Sequence, residues 1–121
     1  MNTHRQLRVW QSARKLVGYV YKLTRALPPE EKYVAVAQMR RAAWSVHNNI
    51  AEGNAKFGYN ERRRFFDIAL GSLAEVDVMT VTLADLYDVE KQLLEDIDGM
   101  RANISRGLFA MLRRGRQSGQ K

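Results

Sequence analysis

The chain has 121 residues, 45% hydrophobic and 27% charged, with a formal net charge of +7. That is the composition of one globular domain able to bury roughly two thirds of its unfolded surface. With no cysteine, a disulfide framework, a thiolate nucleophile and a cysteine-based zinc site are excluded.

Four helical stretches account for nearly everything. The first spans about residues 4–26, with Leu7, Trp10, Val17, Val20, Leu23 and Leu27 on one face. Pro28-Pro29 stops it, because a proline disfavours helix in the residue before it. The second spans about 30–54, opening at Pro29 or Glu30, with Val36, Met39, Ala43, Val46 and Ile50 inward. Glu30 and Glu31 suit the positive end of its dipole. "GNAKFGY" then has the composition of a loop. Asn60 is the expected N-cap of the third helix, about 61–87, with Phe65, Ala69, Ser72, Val76, Met79, Leu83 and Leu86 inward. Asp88 is the expected cap of the fourth, about 89–113, with Leu93, Ile97, Met100, Ile104, Leu108 and Met111 inward. Residues 114–121 have no apolar stripe and are expected to form a disordered tail. No Val/Ile-rich segment alternates as a strand would. Four helices joined by short turns predict an all-α, antiparallel, up-down-up-down four-helix bundle in a single domain. Gly18, Gly71 and Gly107 interrupt helical patterns, and either close helix approach or a tolerated surface position accounts for them.

No apolar run reaches the roughly 18 residues of a membrane span. "MNTHRQLRVW" has no apolar signal core, so a cytoplasmic protein is expected. A di-iron bundle needs Glu-x-x-His motifs on two helices, and the two histidines, His4 and His47, have no Glu three residues before them. Phosphate loops, nucleophile elbows and zinc-protease helices have no matching motif. Glu52, Asp67 and Glu75 could form a carboxylate pair, but no spacing brings them together. The expectation is a protein that is not an enzyme and carries no cofactor or metal.

Charge is unevenly distributed. Residues 1–64 hold 13 Lys/Arg against 4 Asp/Glu, residues 65–100 hold 1 against 9, and residues 101–121 hold 6 against none. Arg8, Lys15 and Lys22 recur every seven residues as one ridge, with Arg5 nearby. Arg62, Arg63 and Arg64 crowd the start of the third helix, where its dipole disfavours cations. Arg113, Arg114 and Arg116 lie near the end of the sequence. These clusters are candidate phosphate contacts, reading shape and charge more than sequence. A solvated surface is the competing reading.

The second helix carries a further stripe, Gln38, Arg41, Ser45, Asn49 and Glu52, about 150° from its apolar one. Trp44 sits on the flank between them. Short hydrogen-bonding groups beside a large aromatic have the composition of a contact surface. Glu75 is expected to pair across the bundle with Arg40 or Arg41.

Three stretches carry a resemblance. Val9, Trp10, Ala13 and Leu16, then "QMRRAAWSVHNNIAEG" (38–53), then "IALGSLAEV" (68–76) resemble the four-helix-bundle family of 23S ribosomal RNA intervening-sequence proteins. That family includes the accessory variability protein of diversity-generating retroelements, and the likeness runs from about residue 7 to 112. It implies a homopentameric ring of bundles. Through the retroelement relatives it also implies binding to RNA or DNA and a reverse transcriptase partner. In such a ring the Gln38–Glu52 stripe and Trp44 become subunit contacts, with the acidic middle of one copy facing the basic front of the next.

Overall fold

The computed structural model describes residues 7–119, with side chains through Arg116, so Arg5 lies outside the described residues. Four helices make up the fold: α1 (Arg8–Arg25), α2 (Ala37–Asn54), α3 (Tyr59–Leu86) and α4 (Lys91–Gly119). Each packs against its neighbours in the chain, and α4 closes back onto α1. This is the antiparallel up-and-down bundle expected from the sequence.

The core is one cluster fed by all four helices. Leu16, Val20 and Leu23 of α1 meet Met39, Val46 and Ile50 of α2, Phe66 and Val76 of α3, and Ile97, Ile104 and Leu108 of α4. The inward stripes differ from the expected ones in azimuth. In α3 the buried positions are Phe66, Ala69, Leu73, Val76, Thr80 and Leu83. Phe65, Ser72 and Met79 are half-buried, and Leu86 is exposed. The expected stripe is therefore tilted toward α2. Buried Thr80 makes the true one hard to see, because its hydroxyl hides by donating to the Val76 carbonyl at 2.7 Å. In α1, Val9, Ala13 and Leu16 are buried, whereas Leu7, Trp10 and Leu27 pack around the edge.

Helix boundaries also depart from expectation. α3 begins at Tyr59 with Gly58 as N-cap, so Asn60 lies inside the first turn and caps nothing. α4 begins at Lys91, beyond reach of Asp88, and Leu94 N–H bonds the Glu90 carbonyl. α4 then continues to Gly119, past the expected end at 113. Arg101 ties α4 to α3 by reaching Asp98 at 2.7 Å and Asp77 at 3.4 Å. Both carboxylates keep its guanidinium protonated, raising its pKa. Before α2 the chain makes a 3-10 turn, Pro29–Glu31, and a π-helical turn, Lys32–Val36.

Three glycines mark close approaches, Gly53, Gly107 and, against the Tyr59 ring, Gly115. A Cβ on Gly53 would lie 2.5 Å from Cε1 of Phe66, and one on Gly107 would lie 3.1 Å from Val9. Around Gly18 and Gly71 there is open space, so these are tolerated surface positions.

Candidate functional site

Antiparallel packing brings the start of α1, the end of α2, the start of α3 and the end of α4 to one end of the bundle. Contacts fix this arrangement. Gly107 of α4 meets Val9 of α1, Gly115 meets the Tyr59 ring, and Arg116 Nε donates to Tyr59 Oη at 3.4 Å. Clusters that are separate in sequence thereby become neighbours: Arg62 and Arg63 join Arg113, Arg114 and Arg116, with Arg8 on the adjacent helix.

Sequence reasoning singled out the arginines at the start of α3 but missed Lys56 and Phe57 at this end. Arg64 and Lys56 each stand 5.3 Å from the Phe65 ring, and Arg62 stands 5.8 Å from Phe66. These cation–π contacts offset part of the penalty for cations at a helix N-terminus. Arg63 also pairs with Asp67 at 3.5 Å, but both side chains are more than half exposed, so water screens the pair. Phe57, next to Lys56 in the turn between α2 and α3, is 91% exposed. A groove of about 420 Å³ between α1 and α4 is lined by Arg8, Ser12, Asn103 and Arg106. The signal for Lys56 and Phe57 is present in the loop "GNAKFGY", which reads as a connection until the fold places it. Lys15 and Lys22 are exposed along α1 and continue the ridge away from this end.

The opposite end carries a group of acids, Glu30, Glu31, Asp85, Asp88 and Glu90. Here Tyr87 Oη donates to Glu31 Oε2 at 2.6 Å, fastening the α3–α4 turn to the α1–α2 turn. That hydrogen bond, with burial and the charges of Glu31 and Glu30, pushes the Tyr87 pKa up to about 12.

The polar stripe of α2 does not act as one surface. Gln38, Ser45 and Asn49 turn toward α3. Gln38 Nε2 donates to Glu75 Oε2, Ser72 Oγ donates to Ser45 Oγ at 2.7 Å, and Asn49 Nδ2 donates to the Ser45 carbonyl at 2.8 Å. Arg41 and Glu52 stay exposed, with Arg41 Nη1 donating to Gln38 Oε1 at 3.3 Å. The expected Arg–Glu75 pair is replaced by Gln38–Glu75. Arg40 turns the other way, stacking 4.2 Å over the Tyr21 ring and donating from Nε to Thr24 Oγ1 at 2.9 Å.

Trp44 belongs to that other flank, the seam between α1 and α2. Its Nε1 donates to Tyr21 Oη at 3.0 Å, and its ring meets His47 edge-on with centroids 5.1 Å apart. On the far side of His47 lies Trp10, also at 5.1 Å. A strip of four aromatic rings results, with Arg25 and Arg40 on Tyr21.

The exposed side of α3 is apolar for a surface helix. Val78 and Val81 are 60% and 58% exposed, with Ile68 and Leu86 also outward. Tyr33 and Val34, exposed by the π turn, extend this patch across an open groove of about 600 Å³ that Met79 and Leu86 help to line. Among the described residues no His, Asp and Glu side chains group as a metal site, and no helix is long and apolar enough to cross a membrane.

Fold and surface together define an all-α bundle with a cationic end. The chain belongs to the 23S rRNA-intervening sequence protein family, whose model matches residues 5–110. A crystal structure from Bacteroides thetaiotaomicron VPI-5482, described as a protein of unknown function from the S23 ribosomal protein family, has the same fold. It superposes with a TM-score of 0.76 at 20% identity, covering 87% of this chain and 95% of that one. No curated protein matches the chain.

Proposed function

We propose that this is a non-enzymatic, cytoplasmic, oligomeric bundle protein that binds nucleic acid through its basic end. The observation that carries this reading is the meeting at one end of the bundle of the start of α1 with Arg8, the start of α3 with Arg62, Arg63 and Arg64, and the end of α4 with Arg113, Arg114 and Arg116. Three arginines at a helix N-terminus work against the dipole, and their aromatic contacts and the screened Arg63–Asp67 pair offset only part of that cost. A polyanion would offset the rest. Phosphates lying across this end replace the missing counter-charge, and binding releases the ions condensed on the nucleic acid. Nothing in this surface resembles a base-reading helix, so recognition follows the shape and charge of structured RNA or a duplex.

The test is a gel shift at graded salt. Affinity for a structured RNA or DNA duplex should fall steeply, with a log–log slope of about −0.9 per neutralised phosphate on B-DNA. Paired Arg62→Glu and Arg113→Glu substitutions should weaken binding regardless of sequence and make that slope shallower by roughly one for each phosphate no longer neutralised. Binding that is absent at low salt, or indifferent to these substitutions, would refute the reading.

A second reading, self-association without any nucleic-acid role, has its own support in the exposed Val78, Val81 and Leu86 of α3 with Tyr33 and Val34 beside them. Such a patch on a surface helix is typical of a protein contact. With acidic and basic surfaces on different faces, heterologous contacts can close a ring, and the homopentamer fits this arrangement. Val78→Lys should reduce the sedimenting mass, whereas Arg41→Glu tests whether the exposed part of the α2 stripe contributes. A monomer in the unaltered protein would end this reading.

A further inference from the structure

We infer that the seam between α1 and α2 is a track for single-stranded nucleic acid, with Trp44 as the stacking surface for an unpaired base and neighbouring cations on its phosphates. This rests on the nucleic-acid reading above but concerns a separate surface and a separate form of the ligand.

Three observations support it. The first is charge. The side of α1 that carries Trp10 and Tyr21 also carries Arg14 and Arg25, α1 has no acidic residue, and α2 adds Arg40 over Tyr21. Among the described residues the acids other than Glu52 of α2 sit on α3, α4 and the turns, so this flank is dominated by cations.

The second is the aromatic strip. Trp44 is 42% exposed, yet it is not loosely held. Its Nε1–H is fixed by Tyr21 Oη and its ring by the edge contact with His47. A tryptophan pinned by polar partners while part of its ring stays in water is ordered in advance for a flat ligand. Such pre-ordering lowers the conformational cost of binding. Base–aromatic stacking of this kind tolerates any sequence, because every base has a π-face.

The third is the interleaving of the two. Arg40 lies on the Tyr21 ring and is anchored to Thr24, and Arg25 approaches the same ring at 5.8 Å. Cations therefore stand within one side chain of the stacking surface, as a nucleotide with one base and one phosphate requires. A duplex buries its base faces and gains nothing from Trp44. An unpaired strand gains both contacts, which is why the seam selects single strands while the basic end does not.

The experiment titrates the protein with a short oligouridine and, separately, with a duplex, following tryptophan fluorescence and gel mobility. Stacking on Trp44 should quench the emission as oligouridine binds. Trp44→Leu should abolish most of that quenching and weaken oligouridine binding about tenfold, leaving duplex binding and the helical circular dichroism unchanged. Arg14→Glu with Arg25→Glu should weaken oligouridine binding while Trp44, Tyr21 and His47 stay in place. Unchanged oligouridine affinity in both variants would overturn the seam inference while the basic-end reading stands. A Trp44→Leu protein whose sedimenting mass falls would make the seam a protein contact, and would overturn it too. If the unaltered protein binds neither ligand at low salt, the seam inference and the proposed function fall together.

Discussion

Gly53 closes the stretch "QMRRAAWSVHNNIAEG", and replacing it with alanine is a test of how α2 and α3 are locked. A methyl group there would stand 2.5 Å and 2.7 Å from two carbons of the Phe66 ring and 3.1 Å from Phe65 Cβ. Phe66 is among the most deeply buried side chains of the core, at 1% exposure, so the flat ring has nowhere to go. Overpacking of this kind costs about 1–3 kcal/mol. Against it stands the intrinsic helix preference for alanine, worth up to about 1 kcal/mol in a helix interior and less this near the end of α2. The net expectation is a loss of about 1–2 kcal/mol, or roughly 3–8 °C in Tm for a domain of this size. Urea denaturation at one protein concentration measures it as a lower midpoint with an unchanged slope. Gly18→Ala and Gly71→Ala are the controls, since open space surrounds both; each should gain about 0.5–1 kcal/mol. Adding Phe66→Leu to Gly53→Ala should show positive coupling between the neighbours. Were Gly53→Ala to stabilise the protein as the controls do, the tight seat of Phe66 would be refuted, and with it the account of how the α2–α3 hairpin positions Arg62 to Arg64.

Other expectations concern the ties between elements. Tyr87 has its pKa raised to about 12 in the fold, against about 10 when unfolded. The stabilisation is therefore complete below pH 10 and lost between about 10 and 12, as the unfolded chain ionises first. Tyr87→Phe should remove a tyrosinate absorbance step near pH 12 and flatten stability across that window; a step that survives the substitution would assign it elsewhere. Arg101→Gln breaks the bridge to Asp77 and Asp98. Because these groups are partly exposed the loss should be about 1 kcal/mol or less and shrink in high salt. A larger, salt-independent loss would mean that Arg101 acts through packing.

The fold was legible because helical periodicity and turn chemistry agreed along most of the chain. Met39, Ala43, Val46 and Ile50 repeat cleanly, and Pro28-Pro29 ends α1 in a way no packing could override. The third helix was harder. Its two phenylalanines are adjacent, and only the space offered by Gly53 selects Phe66 over Phe65. Capping residues misled for a related reason: Asn60 and Asp88 have the right chemistry, but the helices start where packing requires. The basic clusters were visible one by one, and their meeting at one end follows from antiparallel order. What the sequence concealed was pairing across helices. Ser45 and Asn49 looked solvent-facing on a lone helix, and only the presence of Ser72 turns them inward. Arg40 and Arg41 are adjacent and chemically identical, yet Tyr21 and Thr24 claim the first and leave the second exposed.

The π turn at Lys32–Val36 has a consequence for how the chain tolerates changes in length. Each residue in a regular helix advances the face by about 100°, and a π turn accommodates one residue more than an α turn would. Deleting a single residue there would let the segment relax into ordinary α-helix, with α2 and the chain before the turn keeping their register. Only residues inside the turn, the exposed Tyr33 and Val34 among them, would be re-aimed. A one-residue deletion within α2 itself would instead misalign every core contact on one side of the cut. The segment before α2 is thus a place where the gene can lose a codon and keep the bundle, giving up only the shape of the apolar groove beside it.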